Sequence, residues 1–457
     1  MTLQHAQHGL RRQGLLLPLL LALELPLLLS TGGLLIKTDT AAANSGPHQH
    51  TLRRCNETPP AYAELDVRIE RAQQIFSEAE AIHGAHGLGL SLPGGAMQVT
   101  VGVNFHNELI KKYVPQCGVP PSKPTFTCVQ SRTKRSVDGG AHWEMVPVNR
   151  TTNRSVSEFN NYAFTLPRTT ELIQFTGFQR GGVTPAPANG SAWAKVEMEM
   201  IRSGDGGLTQ HGTVASVLAP AGLLRAGWIS TSHSSIIAIG DKTDPAVLLA
   251  NAYAPWEGVD GYNEAAKRPK TRVFIIQSTD GGSTWSYLST VAWDAVNATV
   301  AEDHSADCEV NGMCDGFDEA TLAVGTAIGY GTSSNTVVCV MRSGGPLYRS
   351  VSIDAGLSWS TPVLIAPHGV SPQAVTMSSG VLAVIYGRPD NYVRFSLDGG
   401  RTFLPEFCFN QVGVVPYDGG SYDSVIIVPG SPDTLLLTYA VSRTPFDMQV
   451  YATCLTT

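Results

Sequence analysis

Three patterns of apolar and polar positions succeed one another along the 457-residue chain. The first is an almost unbroken leucine run, Leu15 to Ser30, with Arg11 and Arg12 before it and a small, polar stretch, Thr38 to Ser45, behind it. A basic start, an apolar middle and small residues at the end predict a targeting segment over residues 1–43. Glu24, Pro18 and Pro26 interrupt the run, which favours a signal peptide cleaved near Ala41-Ala42-Ala43 over a retained membrane anchor. The second pattern follows a polar connection, 44–57. From Pro59 to Ile82, Leu65, Ile69, Ala72 and Phe76 share one face at helical spacing, and Gly84 supplies a stop. One helix packed against the main domain is therefore expected, with an oligomerisation helix as the minor alternative. From about residue 88 to Leu455 the pattern changes to alternating strands and turns, with β-rich runs such as Arg272–Gln277, Leu347–Val351 and Asn391–Phe395. No shift in composition marks a second domain, so 44–87 reads as linker and helix and 88–457 as one all-β domain.

The turns carry a repeat. Ser-x-Asp-x-Gly-x-x-aromatic occurs at Ser136–Trp143, Ser278–Trp285, Ser352–Trp359 and Ser396–Phe403. A fifth copy, Ser203–Gln210, keeps Ser203, Asp205 and Gly207 but has lost the aromatic. Asp-Gly or Gly-Gly supplies the positive φ of a tight turn, the Asp side chain can accept backbone N–H bonds within it, and the aromatic can pack back over it. Tight-turn chemistry accounts for every residue of the repeat, so these residues are expected to be structural. Spacings of 67, 75, 74 and 44 residues between the serines suit four-stranded units, some of them lacking the repeat.

Composition sharpens this picture without changing it. With 43% apolar and 15% charged residues the chain can bury a large core, and 46 glycines and 28 prolines suit a turn-rich β protein. A net charge of -7 with no basic run argues against nucleic acid as the main partner. All eight cysteines lie after the leader, and an even count in an exported chain favours disulfides. Cys117/Cys128 and Cys308/Cys314 are close enough to staple single loops; Cys55, Cys339, Cys408 and Cys454 can pair in three ways, of which Cys408/Cys454 is preferred. No Cys-x-x-Cys or Cys/His cluster suggests zinc, and no cofactor is expected. Sequons at Asn56, Asn149, Asn153, Asn189 and Asn297, with the leader, point to a secreted or lumenal glycoprotein, or to a membrane-anchored one if the leader is retained.

The repeat resembles the Asp-box of sialidase-like β-propellers, and four later segments stand in the order of that family. Gly316–Leu322 resembles the segment presenting the catalytic glutamate, here Glu319. Val338–Tyr348 and Val384–Asp390 resemble two arginine strands, with Arg342 and Arg388 in the arginine positions. Gly419–Val425 resembles the segment of the nucleophilic tyrosine, here Tyr422. The resemblance covers residues 190–455 well and 88–190 through the first box alone. It implies a six-bladed propeller of sialidase type that removes sialic acid or a related acidic sugar from glycans. The chemistry fits those residue types. Arginine forks bind a carboxylate through two parallel charge-assisted bonds. A tyrosine nucleophile avoids the repulsion a carboxylate would meet from an anionic sugar. With an ordinary pKa near 10 it needs a base, the role implied for Glu319. Arg394, two residues before its box, is expected to point outward.

The family's pattern breaks in the first unit. The window 90–135, where an arginine and the acid aspartate would stand, has no aspartate, and no arginine before Arg132. The nearest substitutes are His106, Glu108, Lys111 and Lys112; Arg168, in Phe164-Thr-Leu-Pro-Arg168, comes one unit late. Two readings therefore stay open: a hydrolase using another acid such as Glu108 or His106, or a propeller that has lost hydrolysis and binds glycans or proteins.

Overall fold

The structure, a computed structural model, describes residues 62, 65–77, 87–104, 129–150, 162–176, 178–180, 193–220, 228–231, 234–240, 247–255, 262–263, 268–292, 316–325, 335–387, 390–410, 412, 422–442 and 448–457. Every regular element among them is a β-strand. The strands form antiparallel meanders in which each follows the last in space. One contains Gly87–Ser91, Met97–Asn104, Val129–Ser136 and Glu144–Met145; another Asp318–Val324, Val337–Arg342, Leu347–Ser352 and Val363–Ala366. A third contains Val370–Thr376, Leu382–Gly387, Tyr392–Ser396 and Phe407–Cys408. A larger sheet holds two meanders, one ending in Trp193–Ser203 and Thr209–Pro220, the other in Thr271–Ser278 and Thr284–Ala292. A short parallel pairing of Ser216–Leu218 with Thr284–Ser286 joins them.

The first strands of successive sheets pack side by side: Asp318–Val324 on Val370–Thr376, that strand on Ser424–Val428, and that on Gly87–Ser91. Sheets arranged this way are covered on both faces, so their second strands are apolar throughout rather than alternating. Leu382–Gly387 is buried at every position, and Val337–Arg342 at every position before its arginine. The apolar clusters accordingly lie between sheets. One joins Val338 and Leu347 to Leu382 and Tyr386; another joins Ile385 and Phe395 to Leu437 and Tyr439. This is a β-propeller-like fold.

The expected helix before the domain is not formed in the described residues. Arg68–Ile69 and Gln73–Phe76 are strands, paired in order with Thr456–Leu455 and with Ala452 to Val450 of the final strand, Met448–Thr456. The final strand would otherwise present an open row of N–H and C=O groups, and pairing that edge outweighs a short helix of modest propensity. The apolar residues assigned to the helix face are still covered: Leu65, Ile69 and Ala72 pack on one core cluster and Phe76 is buried in the next.

All five Asp-boxes connect the third strand of a meander to the fourth, and all close in the same way. The serine Oγ donates to the aspartate Oδ1 at 2.7–2.9 Å and accepts the N–H of the glycine four residues on at 2.8–2.9 Å. The copy without an aromatic is no exception: Ser203 Oγ to Asp205 is 2.7 Å and Thr209 N to Asp205 is 2.9 Å. Boxes are also linked to their neighbours. Arg135 Nη2 donates to Gly206 O, Arg202 Nη2 to Gly281 O, Ser289 Oγ to Gly356 O and Arg349 Nη2 to Arg401 O.

The preferred Cys408/Cys454 disulfide is not made. Cys408 is disulfide-bonded, whereas Cys454 and the buried Cys339 carry free thiols. Cys454 sits in the final strand opposite Leu436, a position filled by sheet pairing, and burial with the nearby Glu70 charge pushes its thiol up to about 11. Cys55, Cys117, Cys128, Cys308 and Cys314 lie outside the described residues, as do Asn56, Asn153, Asn189, Asn297 and the leader. No helix among the described residues is long and apolar enough to cross a membrane.

Candidate functional site

The candidate site is built where first strands begin and second strands end. Glu319 is the second residue of Asp318–Val324, and the pairing of that strand with Val337–Arg342 slips between Asp318 and Thr321. A bulge of this kind re-aims a side chain. It also puts Glu319 at φ 37, uncommon for a residue with a Cβ. The surrounding backbone holds it there. Phe317 N donates to Thr271 O at 3.0 Å, Thr271 Oγ1 donates back to Phe317 O, and Asn251 Nδ2 holds Ala320 O at 2.7 Å. Gly316 belongs to the same anchor, since a Cβ there would lie 2.1 Å from Thr271 O. The next sheet repeats the device. Val370–Thr376 slips against its partner between Val370 and Gln373, and Ser371 sits at φ 46.

These two bulges meet. Ser371 N donates to Glu319 Oε2 at 3.0 Å, and Arg342 Nη1 lies 3.0 Å from the same oxygen. The other oxygen, Oε1, accepts the Tyr422 hydroxyl at 2.9 Å, although the two residues are 103 apart in sequence. Arg342 reaches the carboxylate because it ends its strand directly opposite Asp318; its Nε also donates to Gly344 O at 2.6 Å. Burial works against the Arg342 charge, but the Glu319 and Asp318 carboxylates outweigh it and hold the guanidinium above its ordinary value. Tyr422 stands just before Ser424–Val428, beside a buried polar network. Asn391 Nδ2 donates to Asp423 Oδ2, Gln373 Nε2 to Asp423 O, and Asn410 Nδ2 to Asp390 Oδ1.

Three of the four expected residues are thus brought together from two sheets, and Ser371 joins them from a third. Arg388 lies outside the described residues, as do His106, Glu108, Lys111 and Lys112. Arg168 is exposed on the turn 167–169. Arg394 does not simply point outward: it is half-buried, with its Nε 3.4 Å from Glu406 Oε2. The sequence reading missed Ser371 and Tyr162, whose hydroxyls are 3.2 Å apart. Pro372, two residues into a strand, was the available signal for a bulge at Ser371. Nothing local marks Tyr162. Among the described residues no group of three or more His, Cys, Asp or Glu side chains is arranged to hold a metal. Chemically, the site offers a tyrosine hydroxyl whose proton is already shared with a carboxylate, and a guanidinium within the same group.

No family model matches the chain, and no curated protein sequence matches it significantly. Solved structures do resemble it. A protein of unknown function from Dyadobacter fermentans DSM 18053 matches with a TM-score of 0.54 at 16% identity, over 85% of this chain and 99% of that one. The K499G mutant of NanB sialidase from Streptococcus pneumoniae gives 0.46 at 10% identity, covering 85% and 70%. The intramolecular trans-sialidase from Ruminococcus gnavus gives 0.43 at 10%, covering 82% and 96%. The first of these likenesses is one of fold.

Proposed function

We propose that this chain is a secreted or lumenal glycoside hydrolase of the sialidase type, its meanders forming six blades, that releases sialic acid or a related acidic sugar from glycoconjugates. The observation that carries the proposal is the hydrogen bond from Tyr422 to Glu319, with Arg342 on the opposite carboxylate oxygen. Tyr422 Oη forms a bond to the anomeric carbon as the glycosidic C–O bond breaks, and its proton passes to Glu319 Oε1. The departing oxygen takes a proton from a separate acid, for which Glu108 and His106 are the candidates. Water then attacks the glycosyl-tyrosine, and the same proton path runs in reverse. Arg342 and Arg388 bind the sugar carboxylate; a substrate anion would compete with Glu319 for the Arg342 guanidinium.

The test is hydrolysis of a fluorogenic α-sialoside by the chain from residue 44, beside Tyr422→Phe and Glu319→Gln. Loss of the base is expected to cost about 10²–10⁴ in rate, and loss of the nucleophile all turnover, with the fold retained. Unchanged turnover in Tyr422→Phe would sink the assignment. A second reading has its own support: Arg342 is already engaged by Glu319 and by Gly344 O, an arrangement that suits a non-hydrolytic propeller. A wild-type chain that binds sialosides without cleaving them would favour it.

A further inference from the structure

We infer that Ser371 and Tyr162 are positioning residues for Glu319, acting through one hydrogen bond that spans the middle of the fold. The inference rests on the proposed role of Glu319 as the base. Its starting point is the division of labour between the two carboxylate oxygens. Oε2 accepts both Ser371 N–H and Arg342 Nη1, while Oε1 accepts the Tyr422 hydroxyl. Two donors on one oxygen, one of them charged, stabilise the ionised form and direct an incoming proton to the other oxygen. That other oxygen is the one Tyr422 faces.

The Ser371 N–H can point at Glu319 only because Ser371 holds a left-handed φ of 46 at its bulge. Glycine would adopt this conformation freely, whereas a residue with a Cβ is strained there. The side chain at this position is used: its Oγ lies 3.2 Å from the Tyr162 hydroxyl, and both residues are buried. Tyr162 precedes the strand Phe164–Thr165, the first of its meander, and Ser371 is the second residue of Val370–Thr376, the first strand of another. With six blades in ring order these two meanders are three apart in either direction, so the bond joins opposite sides of the axis. The contact is therefore no ordinary link between neighbouring sheets. It ties the backbone that grips Glu319 to the far wall of the site.

The experiment compares the full chain with Tyr162→Phe, Ser371→Ala and the double variant, none of which alters Tyr422, Glu319 or Arg342. Two readouts are taken: the pH profile of kcat/KM on the fluorogenic α-sialoside, and the titration of the Glu319 carboxylate by difference infrared spectroscopy against Glu319→Gln. With the hold on Oε2 loosened, the carboxylate titration and the acid limb of the profile should both move to higher pH. On the acid side kcat/KM should fall about tenfold, the worth of one such hydrogen bond. The double variant should be no worse than the poorer single one, because both delete the same bond. Melting behaviour separates these effects from misfolding. An unmoved infrared titration in variants that fold, or additive effects in the double variant, overturns the inference. A wild-type chain that hydrolyses no sialoside overturns the preceding proposal instead, and leaves the infrared comparison readable.

Discussion

The two ends of the same strands are built on opposite principles. At one end, where third strands turn into fourth, each Asp-box closes within eight residues, serine to aspartate and glycine to serine, and in three of them tryptophan to glycine carbonyl. Trp143, Trp285 and Trp359 all donate Nε1 to the box glycine three residues before them, at 2.9, 3.0 and 3.2 Å. At the other end, where first strands begin and second strands finish, the central carboxylate is held by distant residues. Glu319 is held by residues 23, 52 and 103 positions away, and Ser371 by one 209 positions away. The antiparallel order puts these ends on opposite edges of every sheet, as Arg342 opposite Asp318 and Val337 opposite Ser352 illustrate. A rim that satisfies itself locally can be stable whatever happens at the site, and the site can then afford strain at Glu319 and Ser371.

This contrast also explains what could be read from the chain. The boxes are legible because turn chemistry is local; even the copy with Gln210 in place of the aromatic was identifiable and folds like the others. Glu319, Arg342 and Tyr422 were reached through segments whose neighbours resemble a family, and these three side chains meet. Ser371 and Tyr162 were out of reach because their partners are defined only by sheet register. The helix reading of residues 59–82 failed for the same reason: the need to pair the edge of Met448–Thr456 is invisible in the local pattern. The Cys408/Cys454 pairing failed because cysteine spacing carries no geometry.

The sharpest break of the comparison sets Tyr422→Phe against Trp285→Ala. Trp285 is buried against Phe175, with ring centroids 5.2 Å apart. Its removal should cost about 3–5 kcal/mol of stability, read as a lower urea midpoint, while the activity of the folded fraction stays near wild type. Tyr422→Phe should do the reverse, abolishing turnover and lowering the midpoint far less. If Trp285→Ala loses activity in proportion to stability gained back by no ligand or osmolyte, the two ends are coupled and the division drawn above is wrong.

A smaller effect separates the ends by pH. Asp138, Asp205, Asp280, Asp354 and Asp398 are all held below the ordinary carboxylate range. For Asp205 slight burial works upward, but the Ser203 hydroxyl and the Thr209 and Leu208 donors outweigh it and bring the group to about 2. Its folded value lies below the ordinary 3.8, so its stabilising contribution is complete above that value and is lost as pH falls through about 2. Asp390, near the site, is the opposite case: burial raises it despite bonds from Asn410 and Asn391, so it opposes folding at neutral pH and ceases to do so on acidification. Urea midpoints between pH 5 and pH 2 should therefore fall, and Asp205→Asn should flatten that fall while lowering stability at neutral pH. An Asp390→Asn variant lacks the relief that protonating Asp390 brings and should steepen the upper part of the fall; a fall unaffected by Asp205→Asn would mean that the rim is not what acid unfolds.

The smallest effect tests the rim alone. Four boxes place glycine after the aspartate, at Gly139, Gly206, Gly281 and Gly399, with φ 73, 69, 69 and 69; the fifth has Ala355 at φ 61. The backbone is therefore the same and only the Cβ differs. A left-handed alanine is strained by roughly 1–2 kcal/mol, partly offset because glycine loses about 0.4–1 kcal/mol more chain entropy on folding. Ala355→Gly should thus stabilise by about 0.5–1 kcal/mol, and Gly206→Ala, whose added Cβ would meet nothing within 4 Å, should destabilise by a similar amount. Neither should change turnover. Equal and opposite shifts in the two urea midpoints would establish that the boxes are interchangeable turns, independent of position around the fold. A much larger loss at Gly206 would implicate the Arg135 bond to its carbonyl, and so make the links between boxes, rather than the boxes themselves, the element that stabilises the rim.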